Sequence, residues 1–340
     1  ILGANTAALA QTYRLRTIYS WTMASLGEQC VVFEVTGGRT AEDVVQRLAS
    51  DPRVGSVQAI ETFEVLAEEK TWNDPYAHLQ HSAEALRLGQ AHRWATGKGI
   101  KIAVIDTGVD LDHPDLRGRV VKAQSFVDRG ERSFTTDFHG TAVAGVIAAA
   151  ANNEVGIVGV APQAELYALK ACWQQPPGGR EAVCNSYTLA KAVDFAITQG
   201  AQVLNFSLAG PPDVLLTRLI QAALERGIVV VAAVPSKPDA RSFPASLQGV
   251  IGISGSDPPG KFLIAPAVDI LTTVPRGSYD FFSGSSLAAA QVSGVAALLL
   301  ERNPKLTPAE LAALFHKTAR LSHIDACAAL VGASGTGSCS

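Results

Sequence analysis

No run of basic residues in the chain exceeds two, and 28 Lys+Arg against 31 Asp+Glu leave a net charge of only −3. That balance excludes the electrostatic footprint of a nucleic-acid binder. Long apolar runs are missing as well: the longest uncharged apolar stretch, around Ala142 to Ala151, is about half the ~20 residues that a membrane-spanning helix requires. Cysteine is sparse, at positions 30, 172, 184, 327 and 339, and the absence of Cys-x2-Cys or clustered Cys/His spacing argues against a thiolate zinc site. Charged residues make up 17% against 47% hydrophobic, with mean hydropathy +0.18, which excludes a disordered or solvating chain. The sequence opens Ile1-Leu2-Gly3, without an initiator Met or a basic segment before an apolar one, so a signal peptide is expected to have been removed already.

What is present is enough chain, 340 residues, for two domains or for one large α/β unit with a small appendage. Residues 31 to 35 and 54 to 60 are β-rich, and Ala41 to Ser50 places Val44, Val45 and Leu48 on one face of a short helix. This predicts a small α+β domain over residues 1–70, closed by the polar stretch Glu68-Glu69-Lys70-Thr71. Over residues 71–340, uninterrupted apolar runs at 101–105, 166–171, 203–208 and 228–234 read as strands covered on both faces. Helical patterns at Tyr187 to Thr198 and Val214 to Glu225 alternate with them, which predicts an α/β fold with a doubly wound, mostly parallel sheet and helices on both faces. Thr307-Pro308-Ala309-Glu310 supplies a cap, a first-turn Pro and a capping-box Glu for a late helix. Cys172 and Cys184, like Cys327 and Cys339, are 12 positions apart and flank a Gly- or Pro-containing loop, which predicts two local disulfides in an oxidising compartment. The alternative is five reduced, partly buried thiols in a cytosolic protein.

Three positions carry chemistry. Asp106 directly follows the strand KIAVI, at the carboxyl end where ligands of open α/β sheets sit. Asp106-Thr107-Gly108 also matches the aspartic-protease tripeptide, but that chemistry needs a second carboxylate and the chain holds no second copy. His139 opens an Ala-rich helical segment, and Ser286 follows Gly284 at the start of a long apolar helix, where backbone N–H groups and the helix dipole favour an oxyanion. Read singly, each has an ordinary structural role as turn former, helix-start residue or N-cap. Together an orienting acid, a proton-carrying His and an attacking Ser complete an acyl-transfer set. Their order, Asp then His then Ser, disfavours an α/β-hydrolase, in which the Ser comes first.

The segments IAVIDTGVDLDHPDL, DFHGTAVAGVIAA, NNEVGIVGVAP and SGSSLAAAQVSGVAALL resemble successive motifs of the subtilisin family of serine proteases, over about residues 72–320. The resemblance implies Asp106 as orienting acid, His139 as general base and then general acid, and Ser286 as nucleophile. Residues 29 to 67 resemble that family's inhibitory propeptide, a small ferredoxin-like unit, so the chain reads as a proenzyme processed between Leu66 and Trp72. Further implications are a calcium ion held by Asp74, Asp115 and Asn153, and a specificity pocket walled by Ser207, Leu208, Ala209 and Gly210 and by the segment around Ala233. Those two segments carry no acidic residue, so a small to medium apolar side chain is the expected preference.

Several residues depart from the family pattern: Ala142 replaces a His, and Ser285, Leu287 and Ala290 replace Thr, Met and Pro. After IVVVAAV the chain has Val234-Pro235-Ser236 where the family has Ala-Gly-Asn, leaving Ser236 as the candidate oxyanion donor and a slow protease as the expectation. The expected partners are polypeptide substrates and the chain's own propeptide, with no nucleic acid and no membrane span, for a secreted or periplasmic monomer. The second reading is a homologue that is impaired, or cleaves only itself, and then serves as a binding module.

Overall fold

The computed structural model describes residues 3–61, 71–127, 131–175, 179, 181–237, 242–256, 262–334 and 339. Two compact units divide the chain, Ile1–Glu69 and Lys70–Ser340. In the first, helix α1 (Gly3–Tyr13) precedes an antiparallel hairpin of β1 (Leu15–Met23) and β2 (Glu28–Val35), and helix α2 (Ala41–Ala49) follows. Thr40 caps α2 by accepting the Asp43 N–H, and the helix turns Val44 and Leu48 into a small core with Leu9 and Leu15. Residues 54 to 60 are irregular, not a strand. The Val54 N–H is already spent on the Asp51 carbonyl, and Val54 and Val57 reach the core from loop backbone. The described part of this unit therefore has a two-stranded sheet, smaller than a ferredoxin-like one. The expected processing segment, Leu66 to Trp72, lies outside the described residues except for Thr71 and Trp72.

The second unit runs α3 (His81–Ala85), α4 (Leu88–Ala91), β3 (Lys101–Asp106), β4 (Val120–Ser125), α5 (Phe138–Ala148), β5 (Glu165–Lys170), β6 (Cys172–Gln174), β7 (Ala182–Cys184), α6 (Ser186–Thr198), β8 (Val203–Phe206) and α7 (Val214–Glu225). It continues with β9 (Val229–Ala233), β10 (Ile251–Ser254), β11 (Leu263–Ile264), β12 (Ile270–Val274), β13 (Ser278–Phe282), α8 (Ser285–Arg302), α9 (Pro308–Thr318) and α10 (Ala326–Ser334). Seven strands form one sheet in the order β11-β10-β9-β8-β3-β5-β4, and every pairing in it is parallel.

Alternation along β3 shows how the sheet is covered. Ile102 and Val104 point into the core shared with α5 and α8, whereas Ala103 and Ile105 point into the core shared with α6 and α7. Because both faces are covered, the strands read as unbroken apolar runs. Helices α5 and α8 are buried on every side from Gly140 to Ala148 and from Leu287 to Leu300, so neither shows an amphipathic stripe. The chain winds from β3 outward to β4 and β5, then returns past β3 to β8, β9 and β10. The order of winding reverses at the β3/β8 border, and the carboxyl ends of those strands flank a natural crevice.

Both expected disulfides are present, Cys172–Cys184 and Cys327–Cys339, and Cys30 in β2 is a free thiol. The first closes the antiparallel β6–β7 hairpin, in which the two cysteines are register partners.

Helix α5 approaches the turn after β3 so closely that a Cβ on Gly140 would lie 2.5 Å from the Gly108 carbonyl oxygen and 2.7 Å from that of Thr107. Gly140→Ala is therefore expected to destabilise the second unit by about 1–3 kcal/mol, because rigid backbone must move to admit the methyl group. Thermal unfolding of the wild type and the variant checks this.

Candidate active site

Asp106 ends β3, His139 sits in the first turn of α5 and Ser286 in the first turn of α8, and all three line one cleft of about 1080 Å³. Asp106 is only 3% exposed while His139 is 29% exposed, so the imidazole is reachable from solvent and the carboxylate behind it is not. His139 Nδ1 lies 2.8 Å from Asp106 Oδ1 and 2.9 Å from Oδ2. A carboxylate only accepts, so Nδ1 carries the proton and leaves Nε2 with its lone pair as a base. Asp106 is itself fixed by the Thr107 N–H, which donates to Oδ1 at 2.6 Å. Burial draws the His139 pKa down, but the Asp106 charge and hydrogen bond outweigh it and hold the imidazole above its ordinary value.

Ser286 owes its place to Gly284, the N-cap of α8, whose φ of 155° is a conformation that L side chains rarely adopt. The first N–H groups of a helix have no intrahelical acceptor, so this turn offers donors to an oxyanion. In the structure the Ser286 hydroxyl donates to the Ser207 carbonyl at 2.9 Å, and the Ser207 hydroxyl donates back to the Ser286 carbonyl at 2.8 Å. A hydroxyl has one proton, so this resting arrangement directs it to Ser207 and not to His139; such bonds commonly form only with substrate. Behind Ser207 a buried relay continues: Asn205 Nδ2 donates to Ser207 Oγ at 2.9 Å, and Ser293 Oγ donates to Asn205 Oδ1 at 2.9 Å. Asn205 and Ser293 were not singled out from the sequence, although an Asn inside the apolar run VLNF is the kind of buried polar group that needs partners.

Ser207, Leu208, Ala209 and Gly210 all line the cleft, together with the β6–β7 hairpin from Gln175, Glu181 and Ala182 through Cys184. Ala233 does not: it is buried at the end of β9. Ser236 is exposed and is not among the residues that line the cleft. Two acidic residues outside the anticipated segments do line it, Glu181 on the hairpin and Asp213 at the start of α7. Asp213 is committed locally, accepting the Leu216 N–H at 2.9 Å and the Ser186 hydroxyl; these bonds hold its carboxyl below the ordinary range.

The three candidate calcium ligands meet, but as partners of protein donors. Asp115 is fully buried and accepts from Asn153 Nδ2 at 2.9 Å, the Ile157 N–H at 2.9 Å and the Tyr279 hydroxyl at 3.0 Å. Asn153 presents its amide nitrogen to that carboxylate, and its Oδ1 accepts the Val155 N–H at 2.9 Å. Asp74 accepts the Asn152 and Asn153 N–H groups at 2.7 and 3.3 Å. A calcium ion requires several oxygens aimed at one point. These oxygens are aimed at N–H and O–H groups, and the set does not fit the ion. Burial raises the Asp115 carboxyl above its ordinary value against the pull of those three donors.

The sequence pattern of the peptidase S8, or subtilase, family matches residues 97–335. The chain belongs to the subtilase family. It is 34% identical to subtilisin E of Bacillus subtilis over 296 residues, covering 82% of this chain and 73% of that one. To thermitase of Thermoactinomyces vulgaris it is 36% identical over 243 residues, covering 67% of this chain and 85% of the relative. Among solved structures, fervidolysin of Fervidobacterium pennivorans, a keratinolytic enzyme related to subtilisin, superposes with a TM-score of 0.69 at 23% identity, over 96% of this chain and 59% of that one. A protease of Pseudoalteromonas arctica gives 0.69 at 24% identity, over 78% of this chain and all of that one. The fold is therefore subtilisin-like, and this subtilase is a serine protease.

Ionic conditions separate a hydrogen-bonded clamp from a cation site. An ion bound at 100 times its Kd would add about 2.7 kcal/mol to stability. Millimolar Ca2+ or excess chelator is instead expected to leave the unfolding temperature essentially unchanged. Asp115→Ala, which strands the Tyr279 and Ile157 donors, is expected to cost about 2–4 kcal/mol in denaturant unfolding.

Proposed function

We propose that this subtilase is a serine endopeptidase that works through Asp106, His139 and Ser286 and an acyl-enzyme. The observation that carries the reading is the Asp106–His139 couple facing the same cleft as a Ser at a helix start. His139 takes the Ser286 proton as the hydroxyl attacks the peptide carbonyl, Asp106 supports the imidazolium that forms, and His139 then hands the proton to the leaving amine. Water repeats the cycle to release the acid. The oxyanion is met by backbone N–H groups of the first turn of α8. The two disulfides favour a secreted or periplasmic setting, and among the described residues no helix is long and apolar enough to cross a membrane. Residues 1–70 are read as a pro-segment removed by the enzyme's own action between Leu66 and Trp72. Leu208, Ala209, Phe206 and Phe243 give the cleft an apolar floor, which favours apolar side chains beside the scissile bond.

A serine-directed fluorophosphonate is expected to label Ser286 in wild type and not in Ser286→Ala. That variant is also expected to lose kcat by about 10⁵-fold or more, the scale seen when a triad member is removed from the related subtilisin, and to remain unprocessed at residues 66–72. Labelling at another residue, or the same N-terminal trimming in both proteins, would refute the reading.

The pH profile follows from His139. The base works only when neutral, so kcat/KM falls as pH drops through its pKa, and the acid limb is expected above the usual imidazole value of about 6.5. Ser236→Ala is expected to leave kcat within about twofold of wild type, whereas a true oxyanion donor would cost on the order of 10²-fold.

A further inference from the structure

Lys170 and Asp137 are each 1% exposed and form a salt bridge in the interior of the catalytic unit, a pairing that the triad chemistry does not require. Their places tie them to the site from both sides. Lys170 ends β5 and is the register partner of Asp106 on β3. Asp137 is the N-cap of α5, the helix whose first turn carries His139. Its Oδ2 also accepts the Gly108 N–H at 2.7 Å, so the carboxylate grips the turn that leaves Asp106. Its carbonyl accepts the Thr141 hydroxyl at 2.6 Å. One buried pair thus fastens the end of β3, the end of β5 and the start of α5.

We propose that the buried Lys170–Asp137 pair is a positioning device for the Asp106–His139 couple, holding the two elements in register and neutralising the second carboxylate behind the imidazole. The inference rests on the triad reading above. A buried charge without its partner is strongly unfavourable, so neither member can be lost without moving protons or backbone. Burial pushes the Asp137 carboxyl up, the Lys170 bond and charge and the Gly108 N–H pull it down, and the Asp106 charge pushes it up again. The two carboxylates therefore feel one another, and Lys170 is the cation paired with Asp137 and set beside Asp106 on the neighbouring strand. The charged groups around His139 among the described residues are Asp106 on β3, Asp137 on its own helix cap and Lys170 on β5, with Glu181 and Asp213 further along the cleft.

The test uses the full chain with Asp137→Asn, Lys170→Met, the double variant and Lys170→Arg. A peptide p-nitroanilide with an apolar residue before the scissile bond reads kcat and KM, and the pH titration of the His139 Nδ1–H proton resonance reads its pKa without activity. Asp137→Asn keeps an oxygen that can accept the Gly108 N–H but removes the negative charge, so the His139 pKa should fall; Lys170→Met removes the positive charge beside the Asp137 carboxylate, so it should rise. Each single change is expected to lower kcat about 10- to 100-fold with KM within about twofold, the scale of a slight misplacement of catalytic groups. The double variant should recover most of both quantities, and Lys170→Arg should retain them. Should Lys170→Met not fold, Asp137→Asn and the double variant decide alone. An unmoved His139 titration in Asp137→Asn, or a double variant as impaired as the worse single one, overturns the proposal. Failure of fluorophosphonate to label Ser286 in wild type sinks the triad reading instead, and the proton titration still judges the pair.

Discussion

Burial of α8 on all sides is the constraint from which the catalytic unit is built. From Leu287 to Leu300 no residue of that helix reaches solvent, and its neighbours are α5, α10 and the strands β8, β9 and β10. A helix so enclosed must have small side chains wherever a neighbour presses close, and Ala288, Ala289, Ala290, Ser293, Ala296 and Ala297 meet that need. Ser293 and Gln291 are exceptions to the apolar filling: Ser293 donates to Asn205 Oδ1, and Gln291 Nε2 donates to the Pro266 carbonyl at 2.7 Å. Ser286 thus stands in the first turn of a helix that is buried along most of its length.

Around that helix, several buried polar groups are joined into directed chains. The Ser293–Asn205–Ser207 relay ends on the Ser286 carbonyl, the Asp106 carboxylate ends on His139, and the Asp115 carboxylate ends on Tyr279. All three chains run inside packed layers where an unmatched donor or acceptor is expensive, and that expense is what makes them specific. Chemistry is assigned to the crevice at the β3/β8 border because parallel strands deliver their carboxyl ends there together.

Much of this was legible in the residues. Strand β3 and helices α6 and α7 follow from apolar spacing, the Thr307 capping box is formed by reciprocal bonds with Glu310, and Asp106, His139 and Ser286 do share a cleft. What stayed hidden was whatever depends on a partner distant in sequence. Lys170 passed as part of the apolar run LYALKA, since a buried charge is intelligible only once Asp137 stands opposite it. Asp74, Asp115 and Asn153 lie together, yet their donors, the Tyr279 hydroxyl and the backbone amides of Asn152, Asn153, Val155 and Ile157, cannot be read from motif spacing. Ser236 matched a family position in order along the chain, but it is exposed and away from the cleft. The irregular path of residues 54 to 60 was invisible because alternation alone does not say whether a strand edge is available.

The β6–β7 hairpin has a consequence of a different kind. It forms part of the cleft wall, held by its own ladder, by the Cys172–Cys184 bond at its base and by Cys172, which is buried in the core with Leu189 and Phe206. The ladder and the bond keep the base of the hairpin in place whatever lies between the two cysteines, so one scaffold can be fitted to new polypeptides by exchanging a few residues there.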